Sequence, residues 1–369
     1  MAATGTVHWI DHVVVGTNDM GAWVDWAEKA IGLTPGPIGG LTTEARKNDR
    51  PIAIFLDIGD GSCHMGAFLQ KEQMPPSKGL GLDYPRYGFF IRPEDIDEHL
   101  RRLDAHGIAH SDPVKTMAEG DDGTAVYFQD PDGNQFEFWA PVDMPNGAME
   151  VSTGAGVGRV SSATLGSRNL QRTAAFFSDY CDVEPIESSE IPEDSVAFAL
   201  AGGARIVYHL VDDVDERLTG HGPWYALHAA LTVAEDAFFP NYRRMWEGIP
   251  EESATKDKLG LSREEQDELV ARTGLHTSPS GRKWKETYER GDEFYDWDGH
   301  AFHFVGATHT SMPDSLAVYR PKEASAYLKE LAEAVGAGRT PKQGTAQHPL
   351  ASGRARVSGV GGCALAGLL

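Results

Sequence analysis

The chain has 369 residues, with 33 Lys and Arg against 55 Asp and Glu, for a formal net charge of −22. That balance disfavours a duplex-binding role, which needs a basic footprint to displace counterions, and no apolar run approaches the roughly 18 residues of a membrane span. With 41% hydrophobic and 24% charged residues the composition is that of a globular protein, and the length allows roughly two domains. The first residues lack the basic-then-apolar pattern of a secretory signal, so a soluble, cytoplasmic protein is expected. Cys63, Cys181 and Cys363 show no CxxC spacing, which leaves His and carboxylates as the residues to hold any metal.

In chain order, the first β-run is Ile10-Asp11-His12-Val13-Val14-Val15-Gly16. Residues 17–31 follow with Met20, Trp23, Trp26, Ala27, Ala30 and Ile31 at helical spacing, and Gly32 ends the pattern. Apolar runs at 52–58 and 63–69 flank the turn sequence Gly59-Asp60-Gly61. With room for a strand near 37–43, the unit reads β-α-β-β-β. A second copy has a β-run at 87–91, a helix over 93–106 and strands over 124–129 and 134–140, the last two joined by Asp130-Pro131-Asp132-Gly133. A third opens at 159–166, with a helix near 170–180 and strands near 195–200 and 204–210. A fourth opens at 226–233 and closes over 296–304. Its insertion at 238–281 has helical patches at 241–247 and 262–273, the size of a lid or an interface element. An amphipathic helix over about 322–335 and a tail rich in Gly, Ala, Ser and Thr end the chain. The tail is expected to be disordered unless a partner subunit, as in a homodimer, orders it.

Two ungapped matches support the repeat. Residues 87–95 lie over 228–236, setting Tyr87 on His228. Residues 130–138 lie over 296–304, setting Glu137 on His303.

A repeated unit that opens with Ile10-Asp11-His12-Val13-Val14-Val15-Gly16 and closes with Asp130-Pro131-Asp132-Gly133-Asn134-Gln135-Phe136-Glu137-Phe138-Trp139 resembles the vicinal oxygen chelate superfamily. That group includes glyoxalase I, fosfomycin resistance proteins and the extradiol dioxygenases. The resemblance implies an α+β fold of four βαβββ units forming two half-open barrels. It also implies a divalent metal held by the first and last strands of two paired units, commonly through two His and one Glu. The first-strand column here is His12, Tyr87, Ser162 and His228; the last-strand column is His64 or a neighbour, Glu137, a residue near Tyr208-His209, and His303. If neighbouring units pair, one half-site has His12, His64 and Glu137 and the other His228 and His303, each incomplete. If unit one (1–75) pairs with unit four (222–312), His12, His228 and His303 converge with His64 close by. Units two (80–145) and three (155–215) then form a metal-free barrel, and 313–369 is a C-terminal helix and tail.

The second arrangement is similar to that of ring-cleaving hydroquinone dioxygenases. The stretch Ser280-Gly281-Arg282-Lys283, followed by Tyr288 and Tyr295, is similar to the one those enzymes use near substrate. His303 departs from their Glu and gives a three-His face. The resemblance implies a non-haem dioxygenase that takes a small phenol, a hydroquinone or catechol, together with O₂. Fe(II) is the expected metal, and imidazole also suits Mn, Zn, Ni and Cu. Arg282 would hold a substrate oxyanion, and His64, Tyr288 or Tyr295 would exchange a proton. Two alternatives stand beside this: a metal-dependent glyoxalase, epimerase or lyase that stabilises an enediolate, and a metal-free small-molecule or drug-binding protein. A lone strand His is usually a satisfied polar residue. Counting from its turn glycine also puts His64 one residue out of register with Glu137, on the other face. Glu137 is a ligand only under neighbour pairing. His209, His300 and His309 read as surface or supporting residues, and Phe238, Phe239, Tyr242 and Trp246 as lid packing.

Overall fold

β1 (Val7–Thr17) is buried from Ile10 onward, with Ile10, Val13 and Val15 in the apolar core and His12 and Val14 on the other face. The structure, a computed structural model, describes residues 5–39, 53–59, 63–70, 73–81, 84–116, 122–188, 191–215, 227–233, 294–296 and 298–306. The insertion and the tail read from the sequence lie outside these residues. After β1, Asp19 caps α1 (Met20–Ala30) by accepting from the Ala22 amide, and the helix buries Met20, Trp23, Trp26 and Ala27. β2 (Thr34–Gly39), β3 (Ala53–Ile58) and β4 (Cys63–Leu69) complete the first unit. The second unit has β5 (Arg86–Phe90), a 3₁₀ turn at Pro93–Asp95 leading into α2 (Ile96–Ala105), then β6 (Val114–Thr116), β7 (Gly123–Gln129) and β8 (Gln135–Pro141). The third has β9 (Val160–Ser167), α3 (Leu170–Phe176) capped by Asn169, β10 (Ser195–Ala199) and β11 (Arg205–Leu210). The fourth supplies β12 (His228–Val233), β13 (Phe294–Tyr295) and β14 (Ala301–Gly306).

These strands form two seven-stranded mixed sheets of order β13-β14-β12-β1-β4-β3-β2 and β10-β11-β9-β5-β8-β7-β6. The fold is α+β and glyoxalase-like. In each sheet the central pair, β1 with β12 or β5 with β9, is antiparallel, and each of its members pairs in parallel with the strand on its outer side. One face of each sheet joins a single core: Val13, Leu56, Met65 and Leu231 from the first, Phe89, Phe138, Ala163 and Ile206 from the second, with Trp23 of α1 and Phe176 of α3. Each large apolar side chain buried there contributes about 1.5–3 kcal/mol.

Two related turns tie the sheets together. Before β8, Asp132 accepts from Thr17 Oγ1 and from the Asn18 amide, and Asn134 donates through Nδ2 to the Gly16 carbonyl at 2.7 Å. Before β14, Asp298 accepts from Arg168 Nε and His300 donates through Nε2 to the Gly166 carbonyl, both at 2.7 Å. Gly16 and Gly166 end corresponding strands, so each sheet holds the other by the same device.

Register establishes the correspondence residue by residue. In the first sheet His12 pairs with Ala230, and Ala230 with His303; in the second Ser162 pairs with Gly88, and Gly88 with Glu137. Ser162 thus stands where the first sheet has His12, and Glu137 where it has His303. Two residues before Gly88 on the same face is Arg86, in the place of His228. The sequence match that set Tyr87 on His228 is therefore one residue out. Tyr87 points into the core with Phe89, and a one-residue offset in a strand exchanges the faces.

Arg86, Ser162 and Glu137 satisfy one another. Arg86 Nε donates to Glu137 Oε2 at 2.8 Å and Ser162 Oγ to Glu137 Oε1 at 2.7 Å, with the guanidinium 4.8 Å from the Tyr127 ring centroid. The second sheet thus carries a protein-borne cation, fully paired, at these positions. Gly88 is required there, because a Cβ would lie 2.3 Å from Ser162 Oγ and 2.8 Å from Glu137 Oε1. Removing one partner of a buried ion pair costs about 3–5 kcal/mol, whereas replacing both by apolar groups is close to neutral. Glu137→Ala is expected to lower unfolding free energy by that amount in denaturant titrations, and Arg86→Met with Glu137→Leu by much less. A single substitution as mild as the double one would contradict this account.

Candidate metal centre

The first sheet presents a row of paired residues on the face opposite the core: Asp57 on β3, His64 on β4, His12 on β1, Ala230 on β12 and His303 on β14. His228 precedes Ala230 by two residues and shares that face. Small Ala230 leaves the middle of the row open, so imidazoles from three strands meet over it. His12 Nε2 lies 3.1 Å from His228 Nε2 and 3.0 Å from His303 Nε2, and the three ligand atoms are all within 4.8 Å of one another. The rings are buried, with His303 fully so.

A β-bulge shapes the site. Ile10 pairs with Leu231 and His12 with Ala230, so Asp11 is an extra residue in β1. Its carboxylate reaches His12 Nδ1 at 2.6 Å. A proton on Nδ1 donates to Asp11 and leaves the Nε2 lone pair facing the other two rings. Burial, and then the neighbouring His228 and His64, hold the His12 pKa well below the ordinary imidazole value. Burial, and then His12 and His228, do the same for His303. Both are neutral near pH 7, the form in which imidazole binds metals.

The geometry suits a cation. Two metal–nitrogen bonds of about 2.1 Å at right angles separate the nitrogens by about 3.0 Å, the spacing seen around His12 Nε2. His12, His228 and His303 are the residues that could hold such an ion.

His64 lies beside this cluster, directly across from His12. The expectation that it faces away is corrected: paired residues of adjacent strands share a face, so His64 lies on the face of His12. Its Nδ1 is 2.9 Å from Asp57 Oδ1, and its Nε2 is buried without a hydrogen-bond partner among the described residues. Phe55 packs edge-on to His12 with centroids 5.8 Å apart. Gly66 permits this, since a Cβ there would lie 2.8 Å from the Phe55 ring.

Of the other residues singled out in the sequence, Arg282, Tyr288 and His309 lie outside the described residues. The backbone of Tyr295 is in β13, paired with Ala301 at the edge of the first sheet, and its side chain is not described. His209 is in the second sheet, hydrogen-bonded to Ser195 and stacked on Tyr84. His300 is part of the inter-sheet tie. The sequence reading missed Asp11, Asp57 and Arg86. Asp11 had a signal, its place directly before His12, but strict alternation would send it to the opposite face.

Residues 9–138 match the family model described as the Glyoxalase/Bleomycin resistance protein/Dioxygenase superfamily. A crystal structure from Bacillus subtilis subsp. subtilis str. 168, of a protein assigned provisionally as a dioxygenase, shares the fold with a TM-score of 0.55 and 12% identity over 89% of this chain and 97% of that one. Glyoxalase I from Zea mays aligns with a TM-score of 0.49 and 13% identity, over 81% of this chain and 92% of its own. The fosfomycin resistance protein FosX from Listeria monocytogenes aligns over 36% of this chain and 90% of its own, with 18% identity and a TM-score of 0.28. No curated protein sequence matches the chain significantly. Among the described residues no helix is long and apolar enough to cross a membrane.

Metal loading tests the cluster. His12→Ala and His228→Ala are each expected to abolish stoichiometric uptake of a divalent ion by protein purified without an affinity tag, whereas Glu137→Gln retains it. Acid release of bound metal is expected to have its midpoint below 6.5, because the two lowered imidazoles resist protonation at that pH. A midpoint above 7 would show that burial does not suppress protonation of these rings.

Proposed function

We propose that the protein is a non-haem metal-dependent dioxygenase of the vicinal oxygen chelate type, acting on a small phenolic substrate of hydroquinone or catechol class. The convergence of three buried imidazole nitrogens from β1, β12 and β14 carries this reading. In it, His12, His228 and His303 hold a divalent ion, with Fe(II) as the working metal and Mn, Zn, Ni and Cu as competitors for the same nitrogens. Bound there, the ion supplies Lewis acidity toward paired substrate oxygens and, as iron, a path for electrons to O₂.

The chain supplies the rest. His64, oriented by Asp57 through Nδ1, keeps an Nε2 lone pair on the same face as His12 and accepts the proton of a substrate hydroxyl. The phenyl ring of Phe55 and the methyl groups of Val14 exclude water from that side, which strengthens every charge interaction in the site. In the same reading Arg282 holds a substrate oxyanion by a charge-assisted hydrogen bond, and Tyr288 and Tyr295 stand near the substrate as further proton donors.

The His64–Asp57 pair also favours a second reading. A buried imidazole base beside a cation can remove a proton from carbon next to a carbonyl, as a glyoxalase-, epimerase- or lyase-type enzyme requires. Oxygen uptake separates the two. Protein reconstituted anaerobically with Fe(II) is expected to consume one O₂ per ring-opened product on a panel of hydroquinones and catechols. Turnover of a hydroxy-ketone without O₂ consumption would favour the second reading, and a protein that binds these ligands with no metal and no turnover would be a binding module. His64→Ala is expected to keep its metal and lose about 100- to 10,000-fold in kcat, the usual range for a general base.

A further inference from the structure

The bulge that displays Asp11 occurs twice. In the second sheet Val160 pairs with Phe89 and Ser162 with Gly88, leaving Ser161 as the extra residue of β9. Register sets Ser161 on Asp11 and Ser162 on His12. The two bulges share backbone and position, so the distortion belongs to the repeat and does not need a carboxylate. Ser161 shows this directly: it is buried, and its Oγ has no hydrogen-bond partner among the described residues. A carboxylate occupies the bulge only in the sheet where an imidazole follows it.

The three-imidazole face itself carries no negative charge. Asp11 is buried and 2.6 Å from His12 Nδ1, the nitrogen turned away from the cluster, while His303 Nδ1 has no hydrogen-bond partner among the described residues. A carboxylate on the far nitrogen of a ligating imidazole fixes its tautomer and ring angle and raises its donor strength. We propose that Asp11 is a positioning residue for the cation: it acts through His12 and returns to an all-imidazole ligand set the negative charge that a directly ligating carboxylate would have supplied. This rests on His12, His228 and His303 holding a metal.

The test uses full-length protein and Co(II) or Mn(II) as the probe, titrated in competition with a chromophoric chelator. Asp11→Ser reproduces the side chain that the twin bulge already tolerates, and Asp11→Asn keeps the shape without the charge. Both are expected to fold with the wild-type denaturant midpoint in the absence of metal and to bind Co(II) about 10- to 100-fold more weakly. At saturation the Co(II) visible absorption bands are expected to move relative to wild type, a change that a role in folding alone would not produce. Wild-type affinity and unshifted bands in both variants would overturn the proposal while leaving the metal in place. Failure of the wild-type protein to bind Co(II) or Mn(II) would instead defeat the metal reading on which it rests.

Discussion

The antiparallel pairing of β1 with β12 is the contact on which the site depends. It joins strands more than 200 positions apart, and in doing so sets His12 against Ala230, which pairs on its other side with His303. The side chains themselves are ordinary strand residues on the face away from the core. What concentrates them is register: a slip of one residue along this pair would turn His228 into the apolar core and bring Ala229 to the site face. The apolar alternation that builds the core is thus the same constraint that aims the imidazoles.

The two sheets show how one scaffold treats a cationic position in two ways. Where the first gathers three imidazole rings, the second has Arg86 hydrogen-bonded to Glu137, with Ser162 completing the set. A guanidinium brings its own charge and consumes the carboxylate, so nothing is left to recruit. The three imidazoles, by contrast, bring no such fixed charge, and with its Nδ1 proton on Asp11 the Nε2 of His12 is left as an acceptor. The polarity of the two faces follows from which charge the chain supplies covalently.

Much of the fold could be read from the sequence because its signals are local and repeated. The strand–helix order, the Asp130-Pro131-Asp132-Gly133 turn and the stop at Gly32 depend on neighbours within a few residues. His12, His228 and His303 could be singled out because repeat position, not spacing along the chain, relates them. The errors came from register. The ungapped match of residues 87–95 to 228–236 sets Tyr87 on His228, whereas strand pairing sets Arg86, one residue earlier, in that place. His64 was counted from a turn glycine, whereas its face is decided by pairing with His12 and Asp57. Asp11 adjoins His12 in the sequence, but the bulge that brings it to His12 Nδ1 arises in the pairing of β1 with β12, and alternation along β1 alone does not reveal it. Arg282 and Tyr288 stay as the sequence presented them.

The imidazoles that approach His12 stand 216 and 291 positions away from it. Contacts of such separation close late, because the intervening chain must be ordered first. On a ribosome β1 therefore emerges with its histidine facing an unfilled sheet edge and waits for nearly the whole polypeptide before β14 arrives. The cluster forms only once the fourth unit has docked: a chain that stops short of β14 has His12 in place without His303 beside it.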